Sequence, residues 1–106
     1  MICLIRGIKM MQKNNYSIVE TKSFKRDLKR IKKMGRYDIE KLKNAVILLA
    51  SGSNLPDKLH NHKLHGKWSG FEECHIEPDW LLVYKKDTDK LILFLMRTGR
   101  HSDVFG

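Results

Sequence analysis

The stretch Phe71-Glu-Glu-Cys-His-Ile-Glu-Pro-Asp-Trp-Leu-Leu-Val-Tyr-Lys85 decides how this chain folds. Two runs of strand character, 71–76 and 81–85, flank Glu77-Pro78-Asp79, and Pro-Asp between two such runs reads as a hairpin turn. A third run, 90–96, follows Asp87-Thr88-Asp89, a second turn of the same kind. Strands joined by connections this short must be mainly antiparallel. Alternation within the first run puts Cys74 and Ile76 on one face and turns His75 to the other.

Towards the N-terminus the pattern changes to helix. Asp38 is a suitable N-cap for a segment in which Ile39, Leu42, Ala45, Val46 and Leu49 recur on one face, ending at Ser51-Gly52. Before it, Phe24, Leu28, Ile31 and Met34 keep helical spacing, with Thr21 or Ser23 to cap the start and Gly35 the end. The turn at Gly35-Arg36-Tyr37 makes these two helices a hairpin. Residues 16–20 mix Tyr, Ile and Val and read as a first strand. Residues 53–67, with Asn, Pro, Gly and three histidines, read as a long loop, and loops of that length are often functional. The expectation is an α+β domain of order β-α-α-β-β-β: a small, mainly antiparallel sheet with a two-helix hairpin on one face and the other face left for chemistry.

A chain of 106 residues fits one core, taken here as a single domain over 16–106. Residues 1–15 read as an extension upstream of it, with Met10 and Met11 as alternative starts. Lys and Arg number 21 against 12 acids, a net charge of +9 that calls for nucleic acid or a strongly acidic protein as partner. Ten of the cations lie between Lys22 and Lys43. On the first helix Lys25, Arg26, Lys29, Arg30 and Lys33 are candidates for phosphate contacts. Two cysteines, Cys3 and Cys74, give no disulfide framework, and no apolar run approaches the ~20 residues of a membrane span. A cytoplasmic protein without membrane contact is expected.

His62, His75, Asp79, Arg97 and His101 suit RNA cleavage in which the substrate's own 2′-hydroxyl attacks the adjacent phosphate. Imidazole serves as acid or base near neutral pH, and guanidinium offers planar donors to the phosphate oxygens. Thr98-Gly99-Arg100 lets the chain bend so that His101 returns to the surface holding His75. Trp68 and Trp80 read first as packing residues, with Trp80, beside Asp79, also a candidate to stack on a base. His60, His62 and His65 invite a zinc reading, but Cys74 has no second cysteine at finger-like spacing, so no metal or other cofactor is expected.

The run from His62 to Tyr84, with Gly66, Trp68, Gly70, Pro78 and Asp79 in place, together with Arg97-Thr98-Gly99-Arg100-His101 and Val104-Phe105-Gly106, resembles the YafQ-type mRNA interferases of the RelE superfamily. The resemblance implies a RelE-like fold and a ribosome-dependent endoribonuclease that cuts mRNA in the A site. It also implies a cognate antitoxin as partner, with the toxin monomeric when free. It places the active site on His62, His75, Asp79, Arg97, His101 and Phe105, the last positioning a base. Glu72 stands where relatives usually have Arg, and Asn61 where they usually have Asp. A ParE-like inhibitor of DNA gyrase and a non-catalytic basic RNA-binding module are the competing readings, and neither needs the proton-transfer residues.

Overall fold

The computed structural model describes residues 15–106; the extension read at 1–15 falls almost wholly outside them. The elements run β1 (Ser17–Glu20), α1 (Lys22–Met34), α2 (Ile39–Ala50), β2 (His62–Lys63), β3 (Glu72–Glu77), β4 (Trp80–Asp87), β5 (Ile92–Gly99) and α3 (His101–Phe105). One five-stranded sheet has the order β1-β5-β4-β3-β2, antiparallel except where β1 lies parallel to β5. The expected order is present, with two additions. A two-residue strand, β2, interrupts the long loop, and the five-residue α3 follows β5.

The helix ends form where the side chains dictate. Thr21 Oγ1 accepts from the Phe24 amide, and Gly35 closes α1 at φ 70°, a conformation that suits a residue without Cβ. Asp38 accepts from the Glu40 amide at the start of α2. Phe24, Leu28 and Ile31 of α1 and Leu42, Val46 and Leu49 of α2 pack on Cys74, Ile76, Trp80, Leu82, Tyr84, Leu93 and Leu95 of the sheet. Met34, expected on the apolar stripe, is exposed, and the stripe runs instead through the buried Asp27.

Asp27 is buried for a reason that lies in the sheet. β1 pairs with residues 92–95 of β5 and stops. Beyond that point Thr21 Oγ1 donates to the Leu95 and Met96 carbonyls, and Asp27 Oδ2 accepts from the Thr98 amide at 3.1 Å. The helix thus continues the work of the missing strand and satisfies an amide that burial would leave unpaired.

Trp80 requires a correction. Its side chain is fully buried in the core, and its indole N–H donates to Thr98 Oγ1 at 2.9 Å. With both the ring faces and the donor used inside the protein, it offers no surface on which a base can stack, and its role is packing.

Candidate functional site

Register builds the site. His62 pairs with Glu73, Glu73 with Val83, and Val83 with Arg97, so these four residues form one row across β2, β3, β4 and β5. Directly opposed residues in a sheet point to the same face. This row, with the next one of His75, Leu81 and Gly99, occupies the face away from the helix hairpin. Bulges at His75/Glu77 and Val83/Tyr84 break the ladder beside the row, a local adjustment that re-aims side chains at sheet sites.

His62 and His75 meet on a carboxylate. Glu73 Oε2 is 3.1 Å from His62 Nε2 and 3.5 Å from His75 Nε2, and the two rings are 6.3 Å apart. The Glu73 side chain is only 8% exposed, and a carboxylate so far out of water needs a cationic or hydrogen-bonding partner. His62 Nδ1 lies 2.9 Å from the His60 carbonyl oxygen. Both nitrogens of His62 therefore face oxygen atoms, which fixes the plane of the ring. In the sequence Glu73 is one of two adjacent acids, and its spacing of two from His75, which fixes a shared face, is the only signal that sets it apart.

Arg97 stands at the far end of the row, anchored on one edge. Its Nε donates to Asp27 Oδ2 at 2.6 Å, and its Nη2 donates to Asp27 Oδ1 at 3.3 Å and to the Asp103 carbonyl at 3.1 Å. The hydrogen bond to Asp27 holds the guanidinium above its ordinary pKa. Among the described residues the side-chain bonds of Arg97 use Nε and Nη2 and none uses Nη1. Arg30 also pairs with Asp27, at 3.2 Å, so the basic helix is joined to Arg97 through one carboxylate rather than remote from it. Arg30 is committed to that bridge, while Arg26, Lys29 and Lys33 stand exposed along α1 and Lys25 is half-buried.

α3 carries His101 and Phe105 back over the end of β5. The return needs Gly99, at φ 149°, where an added Cβ would come within 3.1 Å of Arg30 Nη2. The His101 and Phe105 rings lie 5.0 Å apart, and Phe105 meets the edge of Trp68 at 5.2 Å. Trp68 in turn meets Phe71 at 5.7 Å, giving a half-exposed aromatic run from α3 to β3. Arg100 holds the Asp103 carboxyl below its ordinary pKa and fixes the start of the helix.

Asp79 is turned elsewhere. Its Oδ2 accepts from Arg36 Nη2 at 3.0 Å and from Tyr37 Oη at 3.1 Å, tying the β3–β4 hairpin to the α1–α2 turn. Among the described residues its carboxylate partners are these two and not His75. Burial, then the hydrogen bond to Asp79, raises the Tyr37 hydroxyl pKa. Cys74 is no nucleophile, since burial pushes its thiol up to about 12. Among the described residues no three His, Cys, Asp or Glu side chains are grouped to hold a metal ion, and no helix is long and apolar enough to cross a membrane.

Residues 16–106 match the family model described as YafQ, a bacterial toxin of type II toxin-antitoxin systems. The mRNA interferase toxin YafQ of Escherichia coli strain K12 is 42% identical over 84 residues, 78% of this chain and 88% of the relative. The crystal structure of YafQ from E. coli strain BL21(DE3) superposes with a TM-score of 0.80 at 36% identity, covering 86% of this chain and 99% of that one. The toxin chain of the E. coli DinJ-YafQ toxin-antitoxin complex gives a TM-score of 0.78 at 36% identity, covering 87% and 99%.

Proposed function

This chain belongs to the YafQ family of bacterial toxins of type II toxin–antitoxin systems, and from that premise we propose that it is an endoribonuclease that cuts mRNA in the ribosomal A site. The observation that carries the reading is the pair of imidazoles on one buried carboxylate, in register with an arginine that keeps one edge open. Cleavage by the substrate's 2′-hydroxyl needs a base, an acid and a cation at the phosphate, and this row and its neighbour supply all three kinds of group without calling on a metal. His62, oriented between the His60 carbonyl and Glu73, is suited to serve as the acid at the leaving 5′-oxygen. His75, bound to the same carboxylate at the longer distance, is suited to take the 2′-hydroxyl proton. Arg97 directs Nη1 to a phosphate oxygen, and His101 approaches from α3. Phe105, edge-on to Trp68, offers a face to a base.

Asp79 enters this reading as a positioning residue, since its bonds to Arg36 and Tyr37 fix the hairpin that follows His75. The cationic face of α1 would dock on ribosomal RNA through phosphate contacts. A cognate antitoxin, as DinJ is for YafQ in the E. coli complex, would bind the free toxin. The test is primer extension on a translated message with and without the protein. Cuts inside codons that require ribosomes support the proposal; an intact message, or equal cutting of naked RNA, overturns it.

A further inference from the structure

Beside the histidine pair lies a cavity of about 600 Å³ between α2 and the loop that precedes β2, and His75 forms part of its wall. We infer that this cavity is a subsite for one nucleotide flanking the scissile phosphate, so that it contributes to the sequence preference of cleavage. The inference rests on the ribonuclease reading above and adds a binding pocket to it.

The lining has the two characters a nucleotide needs. Leu48, Leu59 and Ile76 give it apolar walls, while Lys41 and Lys58 bring ammonium groups to it. Flat apolar walls take the face of a base, and cations take the phosphate attached to it. Lys41 is shared with Glu77 at 3.7 Å, whereas Lys58 has no ion-pair partner among the described residues. The volume lies within the range of small-ligand sites.

His60 connects the pocket to the chemistry. It is one of two residues other than glycine with positive φ among those described, at φ 46° and ψ 49°. A side chain held in the left-handed region costs about 1 kcal/mol or more and persists where the surroundings impose it. Here that conformation sets its ring edge-on to His75 at 6.0 Å and aims its carbonyl at His62 Nδ1. A base seated in the cavity would therefore press on the same residue that orients the first imidazole. An acidic or apolar segment of an antitoxin is the rival occupant. The shared wall with His75 favours the nucleotide.

The test compares wild type with Asn44→Trp, which fills the cavity from the exposed face of α2, and with Lys58→Glu, which reverses its unpaired charge. Cleavage sites are sequenced on a message presenting every codon to ribosomes, and antitoxin affinity is measured in parallel. The expected result is a fall of about tenfold in kcat/KM on the preferred sequences, the scale of one lost stacking contact, with a flattened preference at one position beside the cut. Because Lys58 lies on an exposed turn, its variant carries the test if Asn44→Trp does not fold. An unchanged preference in both folded variants overturns the subsite. Weakened antitoxin binding with an unchanged preference also overturns it and gives the pocket to the antitoxin. Wild-type protein that cuts no translated message overturns the ribonuclease reading itself, before any variant is compared.

Discussion

Replacing Arg97 by alanine should damage stability and chemistry by separable amounts. The side chain is 27% exposed but holds the carboxylate of Asp27, which is 2% exposed, through two hydrogen bonds. Breaking a fully buried ion pair costs about 3–5 kcal/mol because one charge stays behind uncompensated. Here the Thr98 amide and Arg30 remain on Asp27, so the smaller cost of an under-satisfied buried group, about 1–3 kcal/mol, applies. In a domain of this size that is a fall in Tm on the order of 10 °C. Thermal denaturation followed by circular dichroism measures it, and adding Asp27→Asn to Arg97→Ala should recover part of the loss, since the stranded charge is then gone. Below both melting temperatures, single-turnover cleavage on saturated ribosomes should still fall by ~10²-fold or more, from loss of charge stabilisation at the phosphate. A variant that melts within about 1 °C of wild type would refute the anchoring argument; one that cleaves at the wild-type rate would refute the role at phosphate.

His101→Ala should slow cleavage by ~10²-fold with almost no change in Tm, because the ring is exposed; a large drop in Tm with normal cleavage in the folded fraction would reverse that assignment. Trp80→Phe should cost about 1 kcal/mol in urea denaturation, through the lost bond to Thr98, and leave ribosome affinity unchanged; weaker ribosome binding would return Trp80 to the surface. Asp103 is held below its ordinary pKa of 3.8, mainly by Arg100, so its contribution to α3 is complete above that value and is lost as pH falls through the lower folded value. Amide exchange in residues 101–105 should then rise below about pH 4 ahead of the core, and protection that outlasts the core would contradict this. Neutralising Arg26, Lys29 or Lys33 should each flatten the log–log salt dependence of ribosome binding by about one unit or less, and a binding constant indifferent to salt would remove α1 from the interface.

Much of this architecture is legible in the sequence because local signals agree with the tertiary outcome. Thr21 and Gly35 bound α1, Asp38 opens α2, and the two hairpins lie where Pro78 and Asp87 put them. His75 faces away from Cys74 and Ile76 because the pleat requires it. β2 escapes such a reading: its two exposed residues carry no alternation of their own, and the backbone of β3 imposes the pairing. Asp27 looks like one more surface charge among lysines, since its reason for burial lies 71 residues away at Thr98. Trp80 keeps a stacking role open in the sequence because it follows Asp79 in a turn, whereas the register settles it in the core, the packing role read first. The two departures from the family pattern prove to be neighbours: Asn61 Nδ2 donates to Glu72 Oε1 at 3.2 Å, and Tyr84 Oη reaches both side chains.

The parallel contact of β1 with β5 has a bearing on when the protein becomes dangerous to its maker. Pairing Ser17 with Ile92 joins chain segments synthesised far apart, so the sheet cannot close until nearly all of the domain has left the ribosome. Arg97, His101 and Phe105 are made after β1 to β4, and the helix that carries Asp27 has no strand end to complete before β5 arrives. A partly synthesised chain thus displays the cationic helix without the assembled row. On the proposed reading, activity waits for β5 to join the sheet, and that wait is an interval in which an antitoxin can meet the newly folded face.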